Sequence, residues 1–286
     1  MNLIIHPFFD AATGSWSYVL ANPGAGACAI VDPVLDYDET GRVAHATGAE
    51  RIVELVRANG YTVEWILETH VHADRLSAAR YLKSRFVCAQ TATGAGVIEV
   101  QKTMAPRYGL GIATDGSQFD RLLDDGERLC LGHTCGRVMG TPGHTPGCVT
   151  FAFEGFAVVG DTVFAPDAGT ARCDFPGGSA RMLYRSLCAL YALPADTRLL
   201  LCHDYPSNRD RRFWVRVAEQ RADNVMLGGD TGEAEFVAAR ERRDGGLGQP
   251  RLIDVALPAN LAGGILPGAV DASLAALREA PRSVSA

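Results

Sequence analysis

Short apolar runs rich in β-branched residues, separated by Gly, Pro and Asn, dominate the first third of the chain. Three of them have the length and composition of strands: "NLIIHPFF" (2–9), "SWSYVLAN" (15–22) and "GACAIVDPV" (26–34). The segment 39–60 instead has apolar residues at helical spacing and ends at Gly60, a typical residue for a helix C-terminus. Mixed strands and helices indicate an α/β layered fold, with the functional site built from strand ends and the loops after them.

The alternation continues through the second half of the chain. Strand patterns return over 119–164, 179–194 has helical periodicity, and "TRLLLCHD" (197–204) is a strand that ends at His203. No linker or internal repeat interrupts this order. One domain with a helical C-terminal extension is therefore the simplest organisation.

Two local predictions concern helix boundaries. We expect a helix over "LSAARYLKSRF" (76–86), for which Asp74 is a suitable N-cap. We also expect helix over about 209–240, in which the basic stretch "RDRRFWVR" (209–216) is one solvated face.

Composition and charge exclude several classes of function. The 286 residues carry a formal charge of −6, and no stretch combines clustered Lys and Arg with aromatic residues, which argues against a nucleic-acid partner. No apolar run approaches the roughly 20 residues of a membrane span. The first residues lack the cationic start and long apolar run of a signal peptide, so we expect a cytoplasmic protein.

The eight cysteines are scattered and form no CxxC pair. Several lie inside apolar strand-like runs, which is typical of buried free thiols. We therefore expect neither a disulfide framework nor a cysteine zinc site. A reactive thiol at Cys148 or Cys173, both next to candidate site residues, is the alternative.

Histidines and aspartates collect where apolar runs end. In "THVHAD" (69–74) the alternation puts His70, His72 and Asp74 on one side of an extended segment. "GTPGHTPG" and "LCHDYP" supply His144 and His203, and "VVGDTVF" presents an aspartate directly after an apolar strand. Any one of these histidines could be a buried structural residue, but four of them at strand ends favour a site for Zn, Fe or Mn. The remaining histidines lack this context: His6, His45 and His133.

The order and spacing of these segments resemble the metallo-β-lactamase superfamily. The resemblance implies an α/β fold of the αβ/βα four-layer sandwich type, with the metal site between two sheets. We expect this domain over 1–245 and an extension over 246–286 that packs on it, with about the last ten residues loose. Within the superfamily, "GTARCDFPGG" (169–178), "MLYRSL" (182–187) and "VALPANLAGG" (255–264) are similar to the persulfide dioxygenases. Glyoxalase II enzymes share most of the other segments.

The resemblance implies a mononuclear non-haem iron enzyme that oxidises glutathione persulfide with O2 to glutathione and sulfite. Carried over to this chain, the ligands of one Fe(II), or of zinc in the purified protein, are His70, His144 and Asp161. Two imidazoles and one carboxylate are the usual ligand set of Fe(II) oxygenases and leave coordination positions open. A homodimer would be compatible with the resemblance.

The resemblance also implies roles for residues around the metal. His72 and Asp74 would orient ligands or handle protons, and His203 and Tyr205 would line the open side. Glutathione carries two carboxylates, for which a bidentate arginine is the natural partner. The candidates for binding it are Arg172, whose alternative is a structural salt bridge with Asp174 or Asp204, and more weakly Tyr184 on a helix.

Arg75 departs from the superfamily pattern, in which a histidine follows the aspartate of the strip. An arginine stays protonated and cannot ligate a metal. Its charge would repel a second divalent cation by several kcal/mol even at an effective dielectric constant of about 20, which disfavours a two-metal hydrolase. Arg75 either fills the second site by pairing with Asp74 or Asp161, or binds a substrate carboxylate, or marks a loss of activity.

Three functions follow from these alternatives. The first is a persulfide dioxygenase. The second is a thioester hydrolase similar to glyoxalase II, and the third is a metal-binding protein with weakened or absent turnover. A β-lactamase activity has no support beyond fold-level resemblance.

Overall fold

Two six-stranded sheets face each other in the computed structural model, which describes residues 3–206 and 208–266. The strands, in chain order, are β1 (Ile4–Asp10), β2 (Ser15–Asn22), β3 (Ala27–Val31), β4 (Val34–Asp38), β5 (Val43–His45), β6 (Thr62–Leu67), β7 (Leu76–Ser77), β8 (Gln90–Gly94), β9 (Arg121–Leu123), β10 (Arg128–Leu131), β11 (Thr134–Gly140), β12 (Val149–Phe153), β13 (Phe156–Val158), β14 (Arg198–Leu200) and β15 (Trp214–Arg216).

The first sheet has the order β1-β2-β3-β6-β8-β9 and the second β10-β11-β12-β13-β14-β15. In the first sheet, β1, β2 and β3 are antiparallel, whereas β3, β6, β8 and β9 are parallel. In the second, only β13 and β14 pair in parallel. A small third sheet has the order β5-β4-β7, and its strand β4 follows β3 closely in the chain. Parallel neighbours require crossover connections, and helices provide most of them.

The helices cover the outer faces of the two sheets. They are α1 (Thr47–Ala58), α2 (Ala79–Arg85), α3 (Val97–Met104), α4 (Ala180–Tyr191), α5 (Val217–Asp223), α6 (Glu233–Asp244) and α7 (Ile253–Leu261), with short 3-10 turns at Ala105–Tyr108 and Gly160–Thr162. Among the described residues, no helix combines the length and apolar character needed to span a membrane.

Alternation along the strands builds three hydrophobic layers. On β2, Leu20 points between the sheets, whereas its neighbour Val19 packs outward with the helix residues Ile52 and Val56 of α1. On β13, Ala157 packs outward in the same way, in a cluster with α4. The result is a helix–sheet–sheet–helix sandwich, so the predicted α/β four-layer fold is confirmed.

Four strands end on one edge of the sandwich and direct their following loops there. The strip containing His70 follows β6, and the loop containing His144 follows β11. Asp161 lies in the 3-10 turn after β13, and His203 lies beyond β14. Because β13 and β14 are parallel, their two loops leave the same edge of the sheet.

Two of the local helix predictions are wrong. Asp74 does not cap α2, since the two-residue strand β7 intervenes and Ala78 is the N-cap without a side-chain hydrogen bond. The basic stretch 209–216 is not helical, because its last three residues form the edge strand β15 beside β14. Helix begins only at Val217.

The cysteine prediction needs one correction. Cys130 and Cys135 face each other across the β10–β11 hairpin and form a disulfide. The other six thiols are free, and four of these are buried as expected: Cys28, Cys148, Cys173 and Cys202.

The C-terminal helix α7 packs beside the strip that contains the histidines. Leu257 and Leu261 pack with Val71 and Val97. The buried side chain of Asn260 donates its amide hydrogens to the carbonyl oxygens of His72 and Arg75, each at 2.8 Å. Helix α7 therefore fixes the backbone of this strip. The segment 267–286, including the last ten residues that we expect to be loose, lies outside the described residues.

The inter-sheet layer sets the stability of the sandwich. Phe151 on β12 is fully buried there. The Phe151→Ala variant should lose about 3–5 kcal/mol of unfolding free energy, because it leaves a cavity that the packed sheets cannot close. Denaturant unfolding measures this, with the 74% exposed Val87→Ala as control at within about 0.5 kcal/mol of wild type. Equal effects in both variants would contradict a core role for this layer.

Candidate metal centre

Three buried side chains from three different loops meet at the shared edge of the sheets. One Asp161 oxygen, Oδ2, lies 3.8 Å from His70 Nε2 and 3.8 Å from His144 Nε2. All three residues are buried, and one donor atom of each lies within 4.8 Å of the other two. The structure thus brings together the three residues that the sequence suggests as ligands.

Unpartnered polar atoms test whether this trio suits a metal ion. His70 Nε2 and Asp161 Oδ1 are buried and have no hydrogen-bond partner among the described residues. Leaving such atoms unsatisfied in a protein interior is unfavourable. A cation bound between two imidazoles and a carboxylate satisfies them, so the residues present fit a Zn, Fe or Mn ion.

Hydrogen bonds on the far side of each ring set the tautomer that a ligand needs. His144 Nδ1 lies 2.7 Å from the carbonyl oxygen of Arg172, which can only accept, so Nδ1 carries the hydrogen and Nε2 keeps its lone pair. His70 Nδ1 lies 3.0 Å from Thr69 Oγ1, whose own hydrogen goes to Asp32 Oδ2. Both imidazoles therefore present Nε2 as an electron-pair donor.

The charge states of the trio also suit metal binding. Burial lowers the pKa of His70 well below its usual value, which keeps the imidazole neutral. Burial alone would raise the pKa of Asp161, but the surrounding histidines, His203 first, outweigh it and the pKa falls. An ionised carboxylate beside a neutral imidazole is the state in which both groups bind a cation.

His72 and Arg75 belong to a set of close polar contacts behind the trio, and neither residue lines the cavity. His72 Nε2 lies 3.3 Å from Asp32 Oδ1 and 3.2 Å from Glu68 Oε2. Arg75 is fully buried, and its Nη2 lies 3.0 Å from His72 Nε2 and 3.2 Å from Cys202 Sγ. Among the carboxylates, Asp32 Oδ2 lies 4.0 Å from Arg75 Nη2.

This network corrects the prediction for Arg75. Its guanidinium contacts His72, Cys202 and Asp32, and not the expected Asp74 or Asp161. Arg75 does not line the pocket either, so it is not placed to bind a substrate carboxylate. Burial alone would lower the pKa of Arg75, but Cys202 and the nearby carboxylates outweigh it, and the pKa rises. The guanidinium therefore stays charged.

The open side of the trio is a cavity of about 240 Å³. His203 Nε2 lies 3.3 Å from Asp74 Oδ2 and 3.4 Å from Asp161 Oδ1, and Tyr205 Oη lies 2.9 Å from His203 Nδ1. These residues line the cavity together with Phe164, Phe175, Arg172 and Arg243. His203 and Tyr205 thus line the open side, where the resemblance implies them, and Asp74 lies beside them.

The two other candidates for substrate binding differ in position. Arg172 lines the cavity, but it pairs with both oxygens of Asp174 at 2.6 Å, which is the structural salt bridge of the two alternatives. Tyr184 lies on α4 with its ring 5.7 Å from that of Phe236 and does not line the cavity. The position of Tyr184 does not support its predicted contact with a substrate.

Sequence reasoning did not find three residues of this region. Asp32 and Glu68 each stand at the end of a strand-like run, as the candidate ligands do. That position is the sequence feature from which they could have been predicted. Arg243 lies on α6, and its side chain makes no hydrogen bond or ion pair with any described residue. It shares one helix face with Arg240, three residues earlier, which is buried and bonded to Asp244.

A buried site with two imidazoles and one carboxylate, at the strand ends of a two-sheet sandwich and open to a cavity, defines a metalloenzyme. The chain belongs to the metallo-β-lactamase superfamily, whose family model matches residues 11–203. It is an enzyme of that superfamily.

Individual relatives carry different names. The chain is 46% identical to a "probable metallo-hydrolase" of Burkholderia pseudomallei, over 93% of this chain and 94% of the relative. It is 41% identical to "Glyoxylase B2" of Dictyostelium discoideum, over 92% and 91%. The mitochondrial "persulfide dioxygenase ETHE1" of Homo sapiens is 27% identical over 92% and 89%. Some relatives are longer, and the chain spans only 60% of a Xylella fastidiosa "beta-lactamase hydrolase-like protein".

Among solved structures, the crystal structure of ETHE1 from Myxococcus xanthus superposes with a TM-score of 0.74 at 26% identity. The match covers 91% of this chain and 99% of that one.

Gly160 allows the turn that presents Asp161 to approach Thr69 and His70. It has a φ of +53°, and a Cβ there would lie 2.6 Å from Thr69 Oγ1.

The Gly160→Ala variant should lose most of its bound metal, since Thr69 orients His70. Metal content per chain measures this. Gly155→Ala is the matched control, because Gly155 has a φ of +79° and open space around it. The control should lose about 1–2 kcal/mol of stability and retain its metal. Equal metal content in the two variants would contradict this role of Gly160.

Proposed function

We propose that the protein is a persulfide dioxygenase that holds one Fe(II) at His70, His144 and Asp161. The observation that carries this proposal is a buried trio of donor residues that opens onto a cavity, with the guanidinium of Arg75 behind it. Two of the three, His70 and Asp161, have a buried atom without a hydrogen-bond partner among the described residues. Three protein ligands leave room for two reactants, whereas a two-metal hydrolase needs a second cation where Arg75 lies. The likeness to the human and Myxococcus ETHE1 proteins supports it.

Iron bound there would supply the redox chemistry by which a persulfide, a closed-shell molecule, reacts with O2. Persulfide, O2 and water give thiol and sulfite: the S–S bond breaks, and the terminal sulfur is oxidised while O2 is reduced. Two of the oxygen atoms of sulfite come from O2 and one from water. The reaction therefore requires the site to admit a water molecule and to remove protons.

Residues on the open side are placed to handle those protons. Tyr205 is 57% exposed and bonds to His203, whose other nitrogen lies beside Asp74 and Asp161. This row of groups connects the cavity wall to solvent. Phe164 and Phe175 make other parts of the wall apolar, which restricts water to the polar side.

The carrier of the persulfide is expected to be an anionic thiol such as glutathione. Arg243 lines the cavity without a partner among the described residues, so its guanidinium is available for a carboxylate. Arg172 is held by Asp174 and would contribute less.

A thioester hydrolase is the second candidate, favoured by the relative named Glyoxylase B2. His203 Nε2 lies 3.3 Å from Asp74 Oδ2 and 3.4 Å from Asp161 Oδ1, and such a cluster could orient an attacking water. This reaction would need no O2.

One assay separates the two candidates. The protein is loaded with Fe(II) without oxygen and given glutathione persulfide or S-lactoylglutathione. We expect oxygen uptake and equimolar sulfite with the first, and no hydrolysis of the second. The Asp161→Asn variant should lose metal and activity together. Thioester hydrolysis without oxygen uptake on persulfide would refute the proposal.

Arg243→Met tests the recognition of the carrier. We expect KM for glutathione persulfide to rise roughly tenfold, because a charged hydrogen bond contributes about 1.5–3 kcal/mol and about 1.4 kcal/mol is a tenfold change. kcat should change little. Arg242→Met is the matched control, since Arg242 is the exposed neighbour on α6 and does not line the cavity. Equal KM values in the two variants would exclude Arg243 from binding the substrate.

A further inference from the structure

Two more sets of buried donor groups lie beside the proposed iron ligands. One set is Asp161, Cys202 and His203, and in each set one donor atom per residue lies within 4.8 Å of the others. The second set is Asp32, Glu68 and His72. Glu68 Oε2 has no hydrogen-bond partner among the described residues. Buried carboxylates of this kind are stabilised by a nearby cation.

Arg75 is placed to be that cation. Its Nη2 lies 3.2 Å from Cys202 Sγ in the first set and 3.0 Å from His72 Nε2 in the second, so one nitrogen contacts both. The side chain is fully buried, and its Nε and Nη1 have no partner among the described residues. An arginine bonded mainly for packing or structure would be expected to use these donors in directional hydrogen bonds.

We propose that Arg75 is a built-in replacement for a second metal ion, which compensates both additional donor sets and limits the chain to one metal at His70, His144 and Asp161. The inference rests on the proposed metal ligands of the preceding section. Arg75 acts through charge and position and touches no substrate. It is therefore a residue that determines metal number, and with it the kind of reaction open to the site.

The local structure favours this role over simple loss of a ligand. Asn260 binds the carbonyl oxygen of Arg75 at 2.8 Å, which fixes the backbone from which the side chain extends. The guanidinium is then held within 4.0 Å of Asp32 Oδ2. A divalent ion at Asp161, Cys202 and His203 would lie near a like charge that cannot be removed by deprotonation.

Counting metal ions tests the proposal without any substrate. Wild type, Arg75→His, Arg75→Lys and Arg240→His are loaded with Zn(II), desalted and measured for metal per chain. The expected numbers are one for wild type, two for Arg75→His, one for the charge-conserving Arg75→Lys, and one for Arg240→His. Arg240 is the matched control because it is also a buried arginine, 1% exposed and bonded to Asp244, but contacts none of the donor sets.

Loading with Mn(II) gives a second measurement. Electron paramagnetic resonance should show isolated ions in wild type and an interacting pair in Arg75→His. Two metals in wild type would overturn the proposal, as would one metal in a folded Arg75→His. Two metals in Arg75→Lys would show that the charge is not responsible. If Arg75→His does not fold, Arg75→Gln replaces it, and a single Zn(II) with unchanged affinity there would also overturn the proposal.

The outcome is separable from that of the proposed function. Absent oxygen uptake with the expected metal numbers would refute the dioxygenase and leave the role of Arg75 intact. Oxygen uptake by a wild type that holds two metals would refute the role of Arg75 and leave the dioxygenase proposal intact.

Discussion

The buried carboxylate of Asp32 ties the metal centre to the sheet. It stands directly after β3 with a φ of +50°, and its two oxygens accept from the backbone and the hydroxyl of Thr69 at 2.7 and 2.8 Å. Thr69 in turn orients His70, and the same carboxylate lies beside His72 and Arg75. A buried carboxylate with this many polar partners fixes the positions of the side chains around it. The ends of β3 and β6 are thereby joined where a ligand is presented.

The groups on the two sides of the Asp32 carboxylate differ in charge and in hydrogen bonding. On one side, three donors lack hydrogen-bond partners or keep a lone pair toward a cavity, which suits a metal ion. On the other, a permanent positive charge lies among carboxylates, a thiol and an imidazole. In the proposed arrangement, one metal ion and the guanidinium of Arg75 lie within one continuous set of buried polar groups. Asp74, His203 and Tyr205 line the open side, where we propose that they handle protons.

Much of the fold and the trio could be predicted from the sequence. Short apolar runs separated by Gly, Pro and Asn located β1, β2 and β3. Histidines at strand ends indicated His70 and His144, because rigid strands present ligands in this way. Boundaries set by tertiary contacts were missed. Strand β15 forms from a basic stretch because an edge of β14 is available to it, and Cys130 and Cys135 pair because a hairpin brings them together.

The sequence by itself determined the class of fold, since this depends on local periodicity. It also determined the superfamily and the three candidate metal ligands, because the order and spacing of its motifs resemble that superfamily. It also showed that Arg75 breaks the expected pattern. Only the tertiary structure decided where that charge goes, because its partners, Asp32 and Cys202, are 43 and 127 positions away along the chain. The same holds for Arg243, which reaches the cavity only because α6 packs beside it.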